Sequence, residues 1–131
     1  FSKSGGKRPI VVSYASSPAA EVFYSKTPLT EAPTASLALK GGVFQQVEGV
    51  ALVKGGKQAE AAGQFIEFLR SAPVQQALQT TMWMLPATPG VPTAEVMRHA
   101  PTPTAFDNPS TDQLAAQTPT WVARWTQVVL K

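Results

Sequence analysis

"VFQQVEGVALVKGGKQAEAAGQFIEFLRS", residues 43–71, joins two different periodicities across a glycine pair. The valine-rich run from Val43 to Lys54 is bounded by Gly41-Gly42 and Gly55-Gly56, a pattern that predicts a strand of unusual length. Val47, Ala51 and Val53 fall on one face of that strand, and Val50 and Leu52 on the other. Its second half is therefore expected to be buried on both sides and its first half on one. From Lys57 to Ser71 the spacing changes: Ala61, Phe65, Phe68, Leu69 and Ala72 recur at three- and four-residue steps, as on the apolar stripe of a helix. A strand followed by a helix, with no hairpin ladder elsewhere, points to an α/β or α+β arrangement of few strands packed by several helices.

Upstream, "VVSYASSP" (11–18) begins with β-branched valines and ends in small hydroxyl residues around one tyrosine. It reads as a strand, Ile10–Tyr14, turning into a short helix from Pro18 to Tyr24 with Ser17 as its cap. Simple capping explains such a corner, but corners of this kind also gather free backbone N–H groups and hydroxyls useful to a polar ligand. Thr27–Pro33 holds two prolines and is expected to be an irregular excursion. The polar segment Ser2–Lys7 is expected to be a surface connection.

Downstream, Ser71 before Ala72-Pro73 caps a second short helix through Leu78. Pro86, Pro89 and Pro92 then force "TTMWMLPATPGVP" into an extended ordered loop. Thr93–His99 suits a helical turn or two. Ser110 and Gln113 have capping-box spacing at the head of a terminal helix, which Pro119 is expected to kink or divide, with Thr118 as a second cap.

The chain has 131 residues, enough for one domain with a true core, and its 44% hydrophobic content is that of a globular protein. It opens at Phe1 with neither an initiator methionine nor a leader, so it is expected to be a mature product or an excised piece. No apolar run approaches the length of a membrane span. Zero cysteines exclude disulfides and thiolate metal sites. A net charge of +3, with basic residues scattered apart from Lys3, Lys7 and Arg8, is too thin for a nucleic-acid footprint.

The inventory of reactive groups argues against catalysis. His99 is the only histidine, sits beside Arg98, and reads as a surface residue. The eight carboxylates are dispersed, so no metal site is expected. "KGGKQ" (54–58) and "GGKR" (5–8) lack the spacing of a phosphate loop. The aromatics say more. Trp83 lies between two methionines in a proline-rich loop where no helical period calls for it; it either plugs the core or stacks on a ligand. Trp121 and Trp125, at helical spacing, are expected in the core.

Taken in order, "RPIVVSYASSPA", "FQQVEGVALVKGGKQAEAAGQFIEFLRSAPVQQAL", "MWMLPA" and the terminal "WVARW" resemble the C-terminal part of the periplasmic thiamine-binding proteins, solute receptors of ATP-binding-cassette importers. The resemblance runs along nearly the whole chain from Arg8. "QFIEFLRSAPVQQAL" marks the wider class of two-lobed receptors, whereas the "SYASSP" corner and the "MWMLP" loop narrow it to thiamine. It implies that residues 1–131 form a C-terminal fragment of a type II periplasmic binding protein, its N-terminal half missing, with half of an interlobe ligand site.

By that resemblance Tyr14 and Trp83 supply aromatic contacts to thiamine or a thiamine phosphate, with Ser13, Ser16 and Ser17 as neighbours. A further aromatic, six residues after the tyrosine in some members, is Ala20 here. A flat pyrimidine joined to a permanently cationic thiazolium suits aromatic faces. The expected protein is non-catalytic and uses no cofactor. It is periplasmic or extracellular, with membrane anchoring of the full-length precursor left open, and it docks on a membrane permease; the truncated piece is a candidate for self-association. The alternatives are a receptor for iron or a polyamine, although Tyr14 lacks the adjacent tyrosine of an iron site, or a protein-interaction module built on Trp83 and its methionines.

Overall fold

A computed structural model describes residues 6–130, so positions 2–5 of the expected Ser2–Lys7 connection, and with them Gly5 of the "GGKR" stretch, lie outside the described residues. The described chain is helical: α1 (Ser17–Phe23), α2 (Ala59–Arg70), α3 (Ala72–Thr81), a 3-10 helix (Glu95–His99) and α4 (Thr111–Val129). The chain divides into two units, one formed by residues up to Ala38 with Val47–Pro103, the other by Leu39–Gln46 with the residues from Thr104 onward.

The expected α/β class is not what the structure shows, because among the described residues there is no strand. Ile10–Tyr14 and Val43–Lys54 have the side chains of strands, but a strand exists only when its N–H and C=O groups meet a second backbone. Neither segment forms a ladder with a second backbone among the described residues, although the Val43 carbonyl accepts from the Asp107 amide. Val12, Val47 and Val53 are 101%, 79% and 81% exposed, so the burial expected for the second run on both faces is absent as well. The turn that closes the run is formed as its glycines require: Gly55 has φ +77°, and the Gly56 amide donates to the Val53 carbonyl at 3.1 Å.

In the first unit, α1 packs on the 3-10 helix, burying Pro18, Ala19 and Met97. α2 and α3 meet at Ser71, whose extended backbone (φ −64°, ψ 147°) ends one helix and caps the next. The apolar stripe of α2 is real but open, with Phe65 and Phe68 stacked on each other at 6.2 Å and both more than half exposed.

The proline-rich loop is held by two buried amides on one face of α3. Gln79, fully buried, donates from Nε2 to the Pro92 carbonyl at 2.9 Å and accepts from the Ala94 amide at 2.8 Å. One turn earlier, Gln75 donates to the Leu69 carbonyl at 2.8 Å and accepts from the Ala87 amide at 2.7 Å. Thr88 closes the other side, its hydroxyl donating to the Arg70 carbonyl at 2.8 Å. These side chains supply the partners that prolines deny the loop, and the burial of Gln75 and Gln79 makes their bonds costly to lose.

In the second unit, Asp107 and Asn108 bind the segment 39–46 to the chain ahead of α4. Asp107 Oδ2 accepts from the amides of Gly41 (2.9 Å) and Val43 (3.2 Å), and the Asp107 amide donates to the Val43 carbonyl at 2.7 Å. Asn108 exchanges two bonds with the Gln45 backbone, at 2.7 and 2.9 Å. α4 starts with the expected capping box of Ser110 and Gln113. It is not divided at Pro119: Thr111–Val129 is one helix, and the Thr118 hydroxyl donates back to the Leu114 carbonyl at 2.5 Å instead of capping a second one. Trp121 and Trp125 are 43% and 55% exposed, which overturns their expected place in the core; an amphipathic period states which face would be covered, not that a cover is present.

Much of the apolar surface that the sequence prepares for burial is open in this chain.

Gln79→Leu leaves the Ala94 amide and the Pro92 carbonyl unpaired, and should cost about 1–3 kcal/mol for each group left unsatisfied. The same change at exposed Gln127 should be near neutral; equal urea midpoints for the two variants, followed by helical circular dichroism, would show that the buried amide does not hold the loop. In the second unit, Asp107→Ala should remove hydrogen-exchange protection from the Gly41 and Val43 amides, and Asp107→Asn should retain part of it.

Candidate functional site

All five residues singled out by the sequence lie in the first unit. Tyr14, Ser16 and Ser17 form a turn, closed by the Ser17 amide donating to the Tyr14 carbonyl at 3.0 Å. Helix α1 follows, and its N-cap is Ser16 rather than Ser17; Ser17 and Pro18 are the first two helical residues. The shift by one frees the Ser17 hydroxyl from capping. It meets the Ser13 hydroxyl at 2.6 Å, so the two oxygens share a proton donor across the turn. Ser16 is buried, and the Ser36 hydroxyl donates to the Ala15 carbonyl at 3.0 Å, tying a distant loop to the corner. Tyr14 projects outward, with its side chain largely exposed.

Trp83 stands elsewhere in the same unit, just past the C-terminal end of α3. That helix ends at Thr81 with Met82 as its cap, and Trp83 takes φ +58°, the left-handed region in which helices often stop. The Met84 amide turns back toward the Leu78 carbonyl at 3.4 Å. Glycine is the usual occupant of such a position, because a residue with a Cβ loses about 1–2 kcal/mol there.

Two other rings meet the indole. Phe23, the last residue of α1, and Tyr24, its C-cap, touch each other edge-on with centroids 5.1 Å apart at 89°. Phe23 meets Trp83 at 5.5 Å and 76°, and Tyr24 meets it at 5.7 Å and 66°. Two edge-to-face contacts of about 0.5–1.5 kcal/mol each are of the size needed to offset the left-handed backbone. Trp83 is half-buried and packs against this ring cluster.

The structure thus joins Ser13 to Ser17, and Trp83 to Phe23 and Tyr24. Helix α1 carries both groups, the hydroxyl turn at its head and the two rings at its tail, roughly 10 Å apart for seven residues at the helical rise. Phe23 and Tyr24 escaped the sequence reading because an aromatic pair in "EVFYSK" looks like ordinary helix packing; only the adjacency of two rings at a helix end hinted at more.

His99 is half-buried rather than on the surface, with its Nε2 shielded and without a hydrogen-bond partner. Among the described residues no three histidine, aspartate or glutamate side chains gather as metal ligands, and no helix is long and apolar enough to cross a membrane.

If the rings sustain the left-handed backbone at Trp83, removing them while keeping a Cβ is the worst case. Trp83→Gly should therefore be more stable than Trp83→Ala by about 1 kcal/mol in urea unfolding. An alanine variant equal to or better than the glycine variant would mean that the backbone relaxes once the ring is gone.

Comparison with known proteins places these features in context. Residues 7–105 match the family described as bacterial extracellular solute-binding protein. The chain is 32% identical over 125 residues to the thiamine-binding periplasmic protein of Salmonella typhimurium (strain LT2), and 31% identical over 125 residues to that of Escherichia coli (strain K12). Each alignment covers 95% of this chain and 36% of the relative, so the chain spans little more than a third of the length of the curated relatives it matches. No solved structure matches the chain.

Proposed function

The chain belongs to the bacterial extracellular solute-binding proteins, and from that premise we propose that it is the C-terminal part of a two-lobed, non-catalytic receptor that binds thiamine or its phosphate esters. In this reading the receptor works in the periplasm and delivers its solute to the permease of an ATP-binding-cassette importer. The observation that carries it is the alignment along 95% of the chain to two proteins named for thiamine binding.

The chemistry of the chain is consistent with such a ligand. Thiamine presents a flat pyrimidine and a fixed positive charge, and it needs aromatic faces rather than a catalytic acid and base. Trp83 offers a half-buried indole, Tyr14 an outward phenol, and Ser13 and Ser17 the paired hydroxyls of the same corner, next to buried Ser16. A cation over an aromatic face gains about 0.5–2 kcal/mol, the upper end only when water is excluded. In the proposed receptor that exclusion comes from a second lobe closing over the half-site.

The same proposal accounts for the valine runs that form no strand among the described residues. In a type II receptor they would be strands completed by backbone outside this chain, which is why strand-forming sequence stands here without a ladder. The open face of α4 and the stripe of α2 would be covered in the same assembly, and in the 131-residue chain alone they favour self-association.

Titration calorimetry tests the reading directly. Thiamine should bind tightly to the full-length form and weakly to the 131-residue chain. Equal affinity in both would refute the half-site, and absence of binding in both would refute the ligand. In the full-length form Trp83→Ala should weaken binding more than Trp121→Ala; equal losses would remove Trp83 from the site.

A further inference from the structure

The left-handed indole has more support than its own loop provides. From the three-ring contact we infer that Phe23 and Tyr24 are positioning residues that fix the orientation of the Trp83 indole. This inference rests on the proposed role of Trp83 as a ligand platform.

Each ring in the cluster touches both of the others, at centroid separations of 5.1, 5.5 and 5.7 Å and interplanar angles of 89°, 76° and 66°. With separations this short the rings are in mutual contact, so a cation cannot lodge between them. The cluster acts as a buttress and not as an open cage. The near-perpendicular angles matter as well. Both rings lie at steep angles against the indole, so its rotation towards the end of α1 is blocked by direct contact.

Backbone geometry sharpens the point. A tryptophan at φ +58° occupies a place where glycine would end the helix without strain, and strained positions that persist are held by their surroundings. Here the surroundings are the last residue and the C-cap of another helix. Tyr24 is the C-cap of α1, its amide donating to the Ala20 carbonyl at 3.0 Å, and the helix is seated at its other end by buried Pro18 and Ala19. The two rings are 50% and 64% exposed, and they meet the indole from the end of that seated helix. The loop beyond Trp83 is anchored independently through Gln75 and Gln79, so the indole is held from both sides of the chain.

The arrangement gives Phe23 and Tyr24 an influence on affinity without ligand contact. It also couples the two halves of the proposed half-site, because the helix that ends in the rings begins at the hydroxyl turn carrying Tyr14, Ser16 and Ser17.

The test uses two readouts on Phe23→Leu, Tyr24→Leu and Tyr24→Phe. The first is the Trp83 indole N–H resonance in the 131-residue chain, assigned by its loss in Trp83→Phe. The second is thiamine affinity of the full-length form by calorimetry. Both leucine variants should move or broaden the resonance and weaken thiamine binding about three- to tenfold, the equivalent of one lost edge contact. Tyr24→Phe keeps the ring and should leave both readouts near wild type. Circular dichroism controls for loss of the helices. An unmoved resonance in the leucine variants, or a moved resonance with thiamine affinity intact, overturns the positioning role. Absence of thiamine binding in the wild type, with the resonance still responding to both leucine variants and not to Tyr24→Phe, overturns the thiamine reading alone and leaves the ring buttress standing.

Discussion

Two buried glutamine amides on α3 hold the part of the chain on which everything around Trp83 depends. A loop carrying Pro86, Pro89 and Pro92 lacks the donors to organise itself, and its remaining N–H and C=O groups need partners of their own. Gln75 and Gln79 meet that need because a side-chain amide presents a donor and an acceptor together, and one helical turn of separation places both on the same face. Leucine at either position would fill the space and leave the loop unpaired. The polarity of the residue, more than its size, is what the fold uses.

With the loop anchored, the helix C-terminus cannot simply unwind, and the strain at Trp83 stays where the ring contacts can use it. The cluster of Phe23, Tyr24 and Trp83 is small, but its members come from two separate helix ends. Such a junction fixes an aromatic face more firmly than a single loop does, because the indole torsions are limited by residues that belong to another element. In the proposed receptor, where an aromatic face would meet a flat cationic ligand, orientation of the ring would matter as much as its presence.

The remainder of the chain includes strand-like sequence that forms no strand among the described residues. Ile10–Tyr14 and Val43–Lys54 have β-branched side chains in strand-like patterns, and large apolar side chains of both runs are exposed, as are those of α2 and α4 within their own units. Membership in the solute-binding family and coverage of 36% of the thiamine-binding relatives give the physical setting in which such surfaces are ordinary.

Local signals in the sequence located the helices well, since a helix closes its own hydrogen bonds within four residues. The capping box at Ser110, the Ser71-Ala72-Pro73 break and the stripe at Phe65 and Phe68 each specified an element without help from the rest of the chain. The order of motifs along the chain also carried the family, which the comparison bears out over residues 7–105. Whether the valine runs become a sheet was beyond the reach of pattern alone, because a strand is a property of two backbones. The burial of Trp121 and Trp125 likewise depends on a second surface. Only tertiary structure could reveal that Gln75 and Gln79 grip the proline loop, or that Phe23 and Tyr24 meet an indole some sixty residues along the chain, since neither contact leaves a periodic trace in the sequence.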